Sequence, residues 1–387
     1  MRLGDCGKTN LHTYSDKEKW SLIRYLDTGS ITEGRIDEIQ TLYPGVDKIP
    51  SRARRKASVG DILFSTVRPN QKHYGIIEAG TENLLVSTGF TVVTVDTTIA
   101  DPYFIYYYLT QSSVIESLQA IAEQSTSTYP SIKPSDIEDI ELDLPELETQ
   151  KKIGSTLRML DRKIALNEEI NDNLYAQAKA IFDKHFINID AIPAGWRKGN
   201  LLDIANYLNG LAMQKFRPQG HEIGLPVLKI KELRQGSCDD SSELCSLSIK
   251  PEYIIHNGDV VFSWSGSLLV DIWCGGTCGL NQHLFKVTSD VYDKWFYYLW
   301  TAHHLARFIA IAADKATTMG HIKREELAKA EVLIPCEEDY TSFNSIMQPI
   351  FELIISNRIE SRKLAALRDE LLPKLMTGEI DVSDVQL

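Results

Sequence analysis

An internal repeat constrains the fold of this 387-residue chain more than any other feature of its sequence. The segment GDILFS at Gly60 recurs as GDVVFS at Gly258, 198 residues further along the chain. Downstream, the tyrosine pair at Tyr107 recurs at Tyr297, and from there the offset stays at 190 residues. A difference of eight residues between the two offsets is typical of a variable surface loop. The sequence therefore predicts two copies of one unit of roughly 190 residues.

The first part of each copy is predicted to be rich in β-strands. Strands are expected in GDILFSTV and TGFTVVTVD of the first copy, and in GDVVFSWS and HLFKVTSD of the second. These runs are rich in β-branched and aromatic residues and are bounded by turn residues, the usual pattern of strands. Because strands and helices are segregated along each copy, the pattern predicts an α+β fold.

Helices are predicted in the second part of each copy. An amphipathic helix is expected at 103–122 and again at 294–312, followed by a short strand that ends in proline. A long helix then closes each copy, at 147–185 and at 340–375, and a proline or acidic residues mark where each begins. A helix of about 38 residues is about 57 Å long, more than one globular lobe covers, so an antiparallel coiled coil is expected.

The apolar seam of the first long helix carries two amides. Asn167 and Asn171 occupy positions where the spacing of threes and fours calls for leucine, and Asn357 of the second helix matches Asn167 at the 190-residue offset. A polar residue in such a seam lowers stability but penalises shifted registers. We therefore expect Asn167 and Asn357 to lie near a pseudo-twofold axis, within hydrogen-bonding reach of each other, and to fix the register of the two helices.

Composition limits the class of protein. No apolar run reaches the length of a membrane span and the start lacks a signal-peptide pattern, so we expect a cytoplasmic protein. A net charge of −12 argues against a protein that coats nucleic acid, although a DNA reader needs only a local basic surface. Zinc and free thiols are both open for the cysteines, and the spacing favours free thiols. The four candidate zinc ligands are Cys238, Cys245, Cys274 and Cys278.

A search for catalytic motifs finds none, so no residue is assigned as catalytic and no metal site is predicted. The segment DPYF at Asp101 is close to the Asn/Asp-Pro-Pro-Tyr/Phe motif of amino-methyltransferases but lacks its second proline. There is no P-loop, and no glycine-rich loop offers a cofactor site. His283 and the pair His303-His304 lack acidic neighbours at metal-ligand spacing and are interpreted as core or loop histidines. A stand-alone enzyme, such as a DNA methyltransferase on a duplicated scaffold, stays as the alternative function.

Several segments resemble the specificity (S) subunits of type I restriction–modification systems. The residues 144–186 are similar to the central conserved helix of that family, and 357–382 resemble its C-terminal conserved helix and tail. GLNQHLFKV and VSTGFTVV resemble recurrent strand motifs of its target-recognition domains. GWRKGNLLDIANYLNG resembles the usual opening of such a domain; the first domain is expected to open less typically, at Lys19.

The resemblance implies the architecture and the function. Two β-rich α/β target-recognition domains would be separated by two long antiparallel coiled-coil helices with pseudo-twofold symmetry. The expected segments are 1–145 (first recognition domain), 146–186 (central spacer helix), 187–336 (second recognition domain) and 337–387 (C-terminal spacer helix and tail). Each domain would read one half of a bipartite, asymmetric double-stranded DNA site. The helices would act as a ruler that sets the gap between the halves.

The resemblance also implies partners. The helices would dock two modification (methyltransferase) subunits, which use S-adenosylmethionine, and restriction subunits would add nuclease and translocase activity that needs ATP and Mg. The chain itself would hold no cofactor and would not contact a membrane. A recognition module of a related DNA-modification assembly is a second alternative.

Candidate DNA contacts are basic, amide and hydroxyl side chains on loops, because these groups reach base edges and phosphates. For each one, the alternative is a charge or hydroxyl that only faces solvent. In the first copy the candidates are Arg52, Arg54, Arg55, Lys56, Arg68, Asn70, Gln71, Lys72, His73, Ser125, Thr126, Ser127, Thr128, Tyr129 and Lys133. In the second copy they are Lys229, Lys231, Arg234, Trp264, Ser265, Ser267, Lys315, Thr317, Thr318, His321 and Lys323.

Overall fold

The computed structural model describes residues 1–125, 129–314, 321–383 and 385. The chain divides into two compact units: unit 1 is Met1–Arg162 with Ala365–Leu387, and unit 2 is Lys163–Leu364. Both units mix helices with sheets, which confirms the α+β class. None of the helices in the described ranges is long and apolar enough to cross a membrane.

The described residues of unit 1 form ten strands and five α-helices. Its strands are β1 (Gly7–Thr9), β2 (Ile23–Leu26), β3 (Ile31–Thr32), β4 (Arg35–Ile36), β5 (Gln40–Leu42), β6 (Ala53–Lys56), β7 (Ile62–Ser65), β8 (Tyr74–Ile76), β9 (Leu84–Ser87) and β10 (Phe90–Val95). Its helices are α1 (Leu3–Cys6), α2 (Pro102–Leu109), α3 (Ser112–Glu123), α4 (Pro134–Glu138) and the first part of α5 (Leu147–Phe182), which continues into unit 2.

Unit 2 repeats this inventory. Its strands are β11 (Arg197–Asn200), β12 (Asn206–Asn209), β13 (Leu225–Leu228), β14 (Leu244–Cys245), β15 (Ile254–Ile255), β16 (Val260–Ser263), β17 (Leu269–Ile272), β18 (Cys278–Leu280), β19 (Leu284–Thr288) and β20 (Glu331–Ile334). Its helices are α6 (Leu201–Ile204), α7 (Ile230–Gln235), α8 (Lys294–Asp314), α9 (Arg324–Ala328) and α10 (Glu337–Met376), which continues into unit 1.

The two units share one sheet topology. Unit 1 has four-stranded sheets of order β1-β10-β7-β8 and β5-β2-β9-β6, and unit 2 has sheets of order β12-β19-β16-β17 and β14-β13-β18-β15. Each second sheet contains one parallel pair, β2 with β9 and β13 with β18, at matching places. The same strand order in two sheets of each unit confirms the internal duplication.

The opening of the first copy lies earlier than the sequence suggested. Asp5 accepts a hydrogen bond from the Arg2 backbone and caps α1, and Asp203 caps α6 in the same way at the 198-residue offset. Each helix leads into the edge strand of its sheet, β1 or β12. The expectation that the first domain opens at Lys19 was therefore wrong, because Arg2 is the counterpart of Asn200.

The predicted helices differ from the structure mainly at their ends. The first long helix begins at Leu147, as predicted, and ends at Phe182 in a π-helical turn. The second begins at Glu337, three residues before the predicted start. The helix expected at 103–122 is interrupted between Leu109 and Ser112, whereas its counterpart α8 is continuous.

The two long helices run antiparallel within each unit. In unit 1, Arg368 of α10 pairs with Asp161 of α5, and in unit 2 Asn357 bonds to Asn171. Residue numbers thus fall along α10 as they rise along α5. In both units the inner face of the helix pair joins the main hydrophobic core, through Leu157 in unit 1 and Phe351 in unit 2.

Candidate nucleic-acid interface

In unit 1, the loop that follows β7 is fastened to the polar run that precedes α4. Val67 forms a β-bridge with Ser131, and the Arg68 backbone donates to the Pro130 carbonyl at 3.0 Å. The Ile132 backbone donates in turn to the Thr66 carbonyl at 2.9 Å. Two candidate segments far apart in sequence therefore form one continuous loop surface.

Unit 2 uses the same hydrogen bonds at the equivalent positions. Ser265 forms a β-bridge with His321, and the Ile322 backbone donates to the Trp264 carbonyl at 3.1 Å. In each unit a buried serine holds the turn: Ser65 Oγ donates to the Val67 carbonyl at 3.0 Å, and Ser263 Oγ donates to the Ser265 carbonyl at 3.2 Å. The backbone of this loop pair is thus repeated, while the side chains it presents differ.

Arg68 is held in an unusual backbone conformation. Its φ of 49° lies in the left-handed region, which non-glycine residues adopt at a cost and mostly at functional or strained sites. Its guanidinium lies 5.0 Å from the centre of the Tyr129 ring, which is 56% exposed. The loop therefore presents a stacked arginine and tyrosine at the surface of unit 1.

The other candidates in this loop have protein partners. Lys72, also at positive φ, forms an ion pair with Glu33 at 2.5 Å, and His73 Nδ1 lies 2.7 Å from the Ile31 carbonyl oxygen. The Asn70 backbone donates a hydrogen bond to the Gln119 side chain. Asn70 and Gln71 are both exposed in this turn.

The basic strand β6 lies next to the same loop. The Thr88 backbone, in the turn between β9 and β10, donates to the Arg52 carbonyl, and the Thr66 backbone donates to Gly89 of that turn. Arg55 donates to the side chain of Asn10, and burial lowers the pKa of Arg55. Thus β6 and the loop after β7 flank one turn, and Arg55 is engaged within the protein.

Two further residues of this strand region differ in what they offer. Lys56 forms an ion pair with Glu18 at 2.5 Å and lies over the Trp20 ring at 5.2 Å, so its charge is already compensated. Arg54 is half-buried at the centre of the strand, where its carbonyl accepts from Tyr14.

In unit 2 the corresponding turn is rich in hydrogen-bonding side chains. Trp264 donates from Nε1 to Asn209 at 2.9 Å, and its backbone donates to the His283 carbonyl at 3.3 Å. Ser265 is buried and lies 2.9 Å from Nδ1 of His283. The rings of Trp264 and His321 meet edge to face at 6.2 Å. Ser267 is exposed at the tip of this loop.

The basic candidates of unit 2 lie on and before α7. A Cβ added at Gly266 would lie 3.5 Å from Ile230, so α7 begins beside the loop after β16. Lys229 is ion-paired with Glu243, which also binds Arg217, and Lys231 forms an ion pair with Asp239 at 3.2 Å. Arg234 lies exposed in the last turn of α7.

The remaining candidates lie around the short helices that follow each loop. Lys133 and Lys323 are the N-terminal caps of α4 and α9, and both are exposed. Ser125 accepts a hydrogen bond from the Ser131 backbone. Six candidates lie outside the described residues: Thr126, Ser127, Thr128, Lys315, Thr317 and Thr318.

Sequence reasoning missed part of this surface. His283 was interpreted as a core or loop histidine, and Asn209 and Gln282 were not considered. Asn209 and His283 both bond to Trp264 in the loop after β16, and Gln282 lies beside His283. The signal was the run Asn281–His283 between two strands, because amides and imidazoles are the groups that read base edges. In unit 1 the sequence also offered no reason to consider Asn10, whose side chain accepts hydrogen bonds from the Val92 backbone and from the candidate Arg55.

Asn167 and Asn357 are buried, and each bonds to a residue other than the expected partner. Asn167 donates to Glu360 at 2.8 Å and to Ser361 at 3.3 Å, while Asn357 donates to Asn171 at 3.0 Å. At the 190-residue offset Asn171 corresponds to Ser361, so the two pairs are repeat-equivalents. No direct bond joins Asn167 to Asn357 among the contacts of the described residues.

Residues considered for other chemistry have structural roles here. Asp101 accepts from the Phe104 backbone at 2.9 Å and so caps α2, while burial raises the pKa of its carboxyl. All six cysteines are free, and the described residues contain no group of three or more side chains arranged to hold a metal.

Comparison with known proteins shows what the chain is similar to. Residues 53–176 match the family model described as the type I restriction modification DNA specificity domain. The chain is 21% identical to the type I restriction enzyme HindI specificity subunit of Haemophilus influenzae, with 98% of each chain covered. Along nearly its whole length the chain is therefore similar to a type I restriction specificity subunit.

Further comparisons give similar proteins of the same kind. The chain is 26% identical to the MjaIX specificity subunit of Methanocaldococcus jannaschii, with 84% of this chain and 79% of the relative covered. The fold resembles the type I restriction–modification S subunit from M. genitalium, with a TM-score of 0.57, 14% identity, and coverage of 97% and 95%. The specificity-subunit fold therefore extends over nearly the whole chain.

Proposed function

We propose that this specificity subunit reads a bipartite, asymmetric DNA site, one half with the recognition domain at 1–145 and the other with the domain at 187–336. The observation that carries the proposal is the repeated loop pair. Ser65 and Ser263 brace the same backbone turn in both units, yet the first presents Arg68 and the second presents Trp264 and His283. One scaffold with two sets of surface side chains suits two different half-sites.

The chemistry of the two loops differs accordingly. The guanidinium of Arg68, pre-oriented over Tyr129, suits bidentate hydrogen bonding to guanine or contact with a phosphate. In unit 2 the amides of Asn209 and Gln282 and the imidazole of His283 suit adenine edges or mixed contacts. Because the net charge is −12, binding depends on these local groups rather than on the overall field.

Mapping of methylated adenines tests the proposal most directly. The chain is co-expressed with its modification subunit, and Arg68→Ala is compared with His283→Ala. We expect Arg68→Ala to relax or abolish preference in one half-site only, and His283→Ala to do so in the other. Lys151→Ala, an exposed lysine on α5, is the control for loss of a positive charge. A continuous palindromic target, or variants that alter both halves equally, contradicts the two-reader function.

The salt dependence of binding separates phosphate contacts from base contacts. Removal of one side chain that binds a phosphate lowers the slope of log affinity against log salt by about 0.9. We expect Arg68→Ala to lower the slope, and Lys72→Ala to lower it less, because Lys72 is paired with Glu33. Equal slopes for the unaltered protein and both variants would show that Arg68 does not bind a phosphate.

The long helices supply the second part of the proposed function. We propose that α5 and α10 set the gap between half-sites and dock two modification subunits, which assemble with restriction subunits. Ile346 and Leu353, seven residues apart on α10, are 49% and 46% exposed, a spacing that suits a partner helix. Ile346→Asp with Leu353→Asp should abolish co-purification of the modification subunit, whereas Glu338→Lys should leave it intact. Undiminished co-purification of the double variant contradicts this docking surface.

A further inference from the structure

Unit 1 contains a polar cavity of about 370 Å³. It is lined by the β8 edge, by the break between α2 and α3, and by the facing sides of α5 and α10, all within unit 1. Its volume is at the lower end of the range for small-molecule sites in proteins. A small ligand would fit there with both long helices as part of its wall.

The inner wall of the cavity is aromatic and carries hydroxyls without protein partners. The rings of Tyr74 and Tyr106 meet edge to face at 6.2 Å, and those of Tyr106 and Tyr107 at 5.0 Å. Tyr74 is 6% exposed and Tyr106 is 7% exposed. Within the part of the chain that the structure describes, neither of these two hydroxyls forms a hydrogen bond. Both tyrosines are more than nine-tenths buried and line the cavity, so their hydroxyls are available to a hydrogen-bonding group that enters it.

The charges that line the cavity leave a negative excess. Arg368 bonds to Asp161 at 2.7 Å and to Asp369 at 2.7 Å, and Lys72 pairs with Glu33 at 2.5 Å. Three carboxylates against two cations leave one negative charge. Tyr107 donates to the second oxygen of Asp161 at 2.6 Å. Burial, then the carboxylate of Glu33, raises the pKa of Tyr74, so the phenol stays neutral.

Unit 2 shows that the fold does not require this lining. At the 190-residue offset, Phe296 replaces Tyr106, Phe351 replaces Asp161, and Ala178 replaces Arg368, all three within the core of unit 2. Trp300 stands where unit 1 has Thr110, and its ring packs on Phe182 at 5.1 Å. The ion pair of Asp161 with Arg368 is therefore a feature of unit 1 that the shared fold does not depend on.

We propose that this cavity binds a small aliphatic amine in its ammonium form. Ring faces and carboxylates together are the groups that recognise organic cations, and an ammonium group donates hydrogen bonds to phenol and carboxylate oxygens. One positive charge balances the negative excess of the lining. The amine bridges the wall formed by Tyr74 and Tyr106 and the carboxylates on the two long helices.

Titration calorimetry of the full chain with n-butylamine, which carries a single ammonium group at neutral pH, tests this site in the absence of DNA. We expect one saturable site per chain. Tyr74→Phe with Tyr106→Phe should weaken binding about tenfold, because two hydrogen bonds are removed and the shape is kept. Phe296 already occupies the position equivalent to Tyr106, so phenylalanine there is compatible with the fold. Tyr297→Phe, the same change at a buried position of unit 2 outside the cavity, is the matched control and should bind normally.

A filling variant gives an independent test. Thr110→Trp copies Trp300 of unit 2 and should abolish n-butylamine binding. If this variant fails to fold, the double phenylalanine variant still decides. No saturable binding overturns the proposal, and so does binding that the double phenylalanine variant leaves unchanged. Because the readout needs neither DNA nor a modification subunit, its outcome is independent of the proposed reading function.

Discussion

The two units differ in the side chains that pack between the long helices: unit 1 uses charged residues and unit 2 uses apolar ones. Where α5 and α10 meet the recognition domain, unit 1 uses the ion pair of Asp161 with Arg368, and unit 2 uses Phe351 beside Ala178. Strand order, helix caps and the serine brace are nevertheless the same in both. Backbone hydrogen bonds and edge-strand pairing therefore specify the duplicated fold, and the side chains at this junction are free to differ.

The largest expected loss of stability follows removal of the Phe351 ring between the long helices of unit 2. Phe351→Ala should lower the free energy of unfolding of unit 2 by about 3–5 kcal/mol, because a buried ring is removed and a cavity is left. Asp161→Ala, at the equivalent position of unit 1, should cost less, since Asp161 is partly solvated and Arg368 keeps Asp369. Differential scanning calorimetry of both variants measures the difference. Ile346→Ala, an exposed site on the same helix as Phe351, is the control; a larger loss for Asp161→Ala would reverse the comparison.

The next largest loss of stability is expected at Gly210, a glycine of unit 2 whose counterpart in unit 1 is not a glycine. A Cβ at Gly210 would lie 2.2 Å from the Asn281 carbonyl oxygen, in the turn that carries His283, whereas unit 1 has His12 at the equivalent position. Gly210→Ala should destabilise unit 2 by about 1–3 kcal/mol through overpacking and displace that turn. His12→Ala should have little effect.

Two measurements check this change. Urea unfolding should show the loss of stability in the Gly210→Ala protein, and methylation mapping should show an altered preference in one half-site only. An unchanged half-site in a protein whose stability has fallen would separate the Asn281–His283 turn from base reading.

The sequence predicts those parts of the fold that occur in both copies of the repeat. The strands, the two long helices and the loops that follow β7 and β16 were predictable, because the same sequence pattern occurs in both copies. The cavity was not, because its key pair joins Asp161 to Arg368, residues 207 positions apart that meet only when α5 and α10 fold together. Likewise, the pairing of Lys56 with Glu18 and of Lys72 with Glu33 is invisible in the sequence, although it decides how much free charge each lysine offers.

A smaller effect is expected at the seam amides, for which a register role is proposed. Asn171→Leu with Asn357→Leu should stabilise unit 2 by about 1 kcal/mol or less, because a partly buried amide pair is replaced by apolar packing. The same change should broaden the distribution of half-site spacings, since leucine tolerates shifted registers. Asn173→Leu, on an exposed face of α5, is the control. A single unchanged spacing in the double variant would remove the register role.

The smallest expected effect is a pH dependence confined to unit 2. Burial lowers the pKa of His304, whose Nε2 donates to the Glu331 carbonyl at 2.8 Å, and the nearby charges of His303 and Arg307 lower it further. As the pH falls through the ordinary histidine value of 6.5, the unfolded chain binds the proton first, so unit 2 loses stability below that pH. Unit 1 has Val114 at the equivalent position and should not show this loss. Between about pH 7.5 and about pH 5.5, calorimetry should therefore show a fall in the transition of unit 2 only, and His304→Gln should flatten that decline. An equal decline in His304→Gln would assign the pH dependence to other groups.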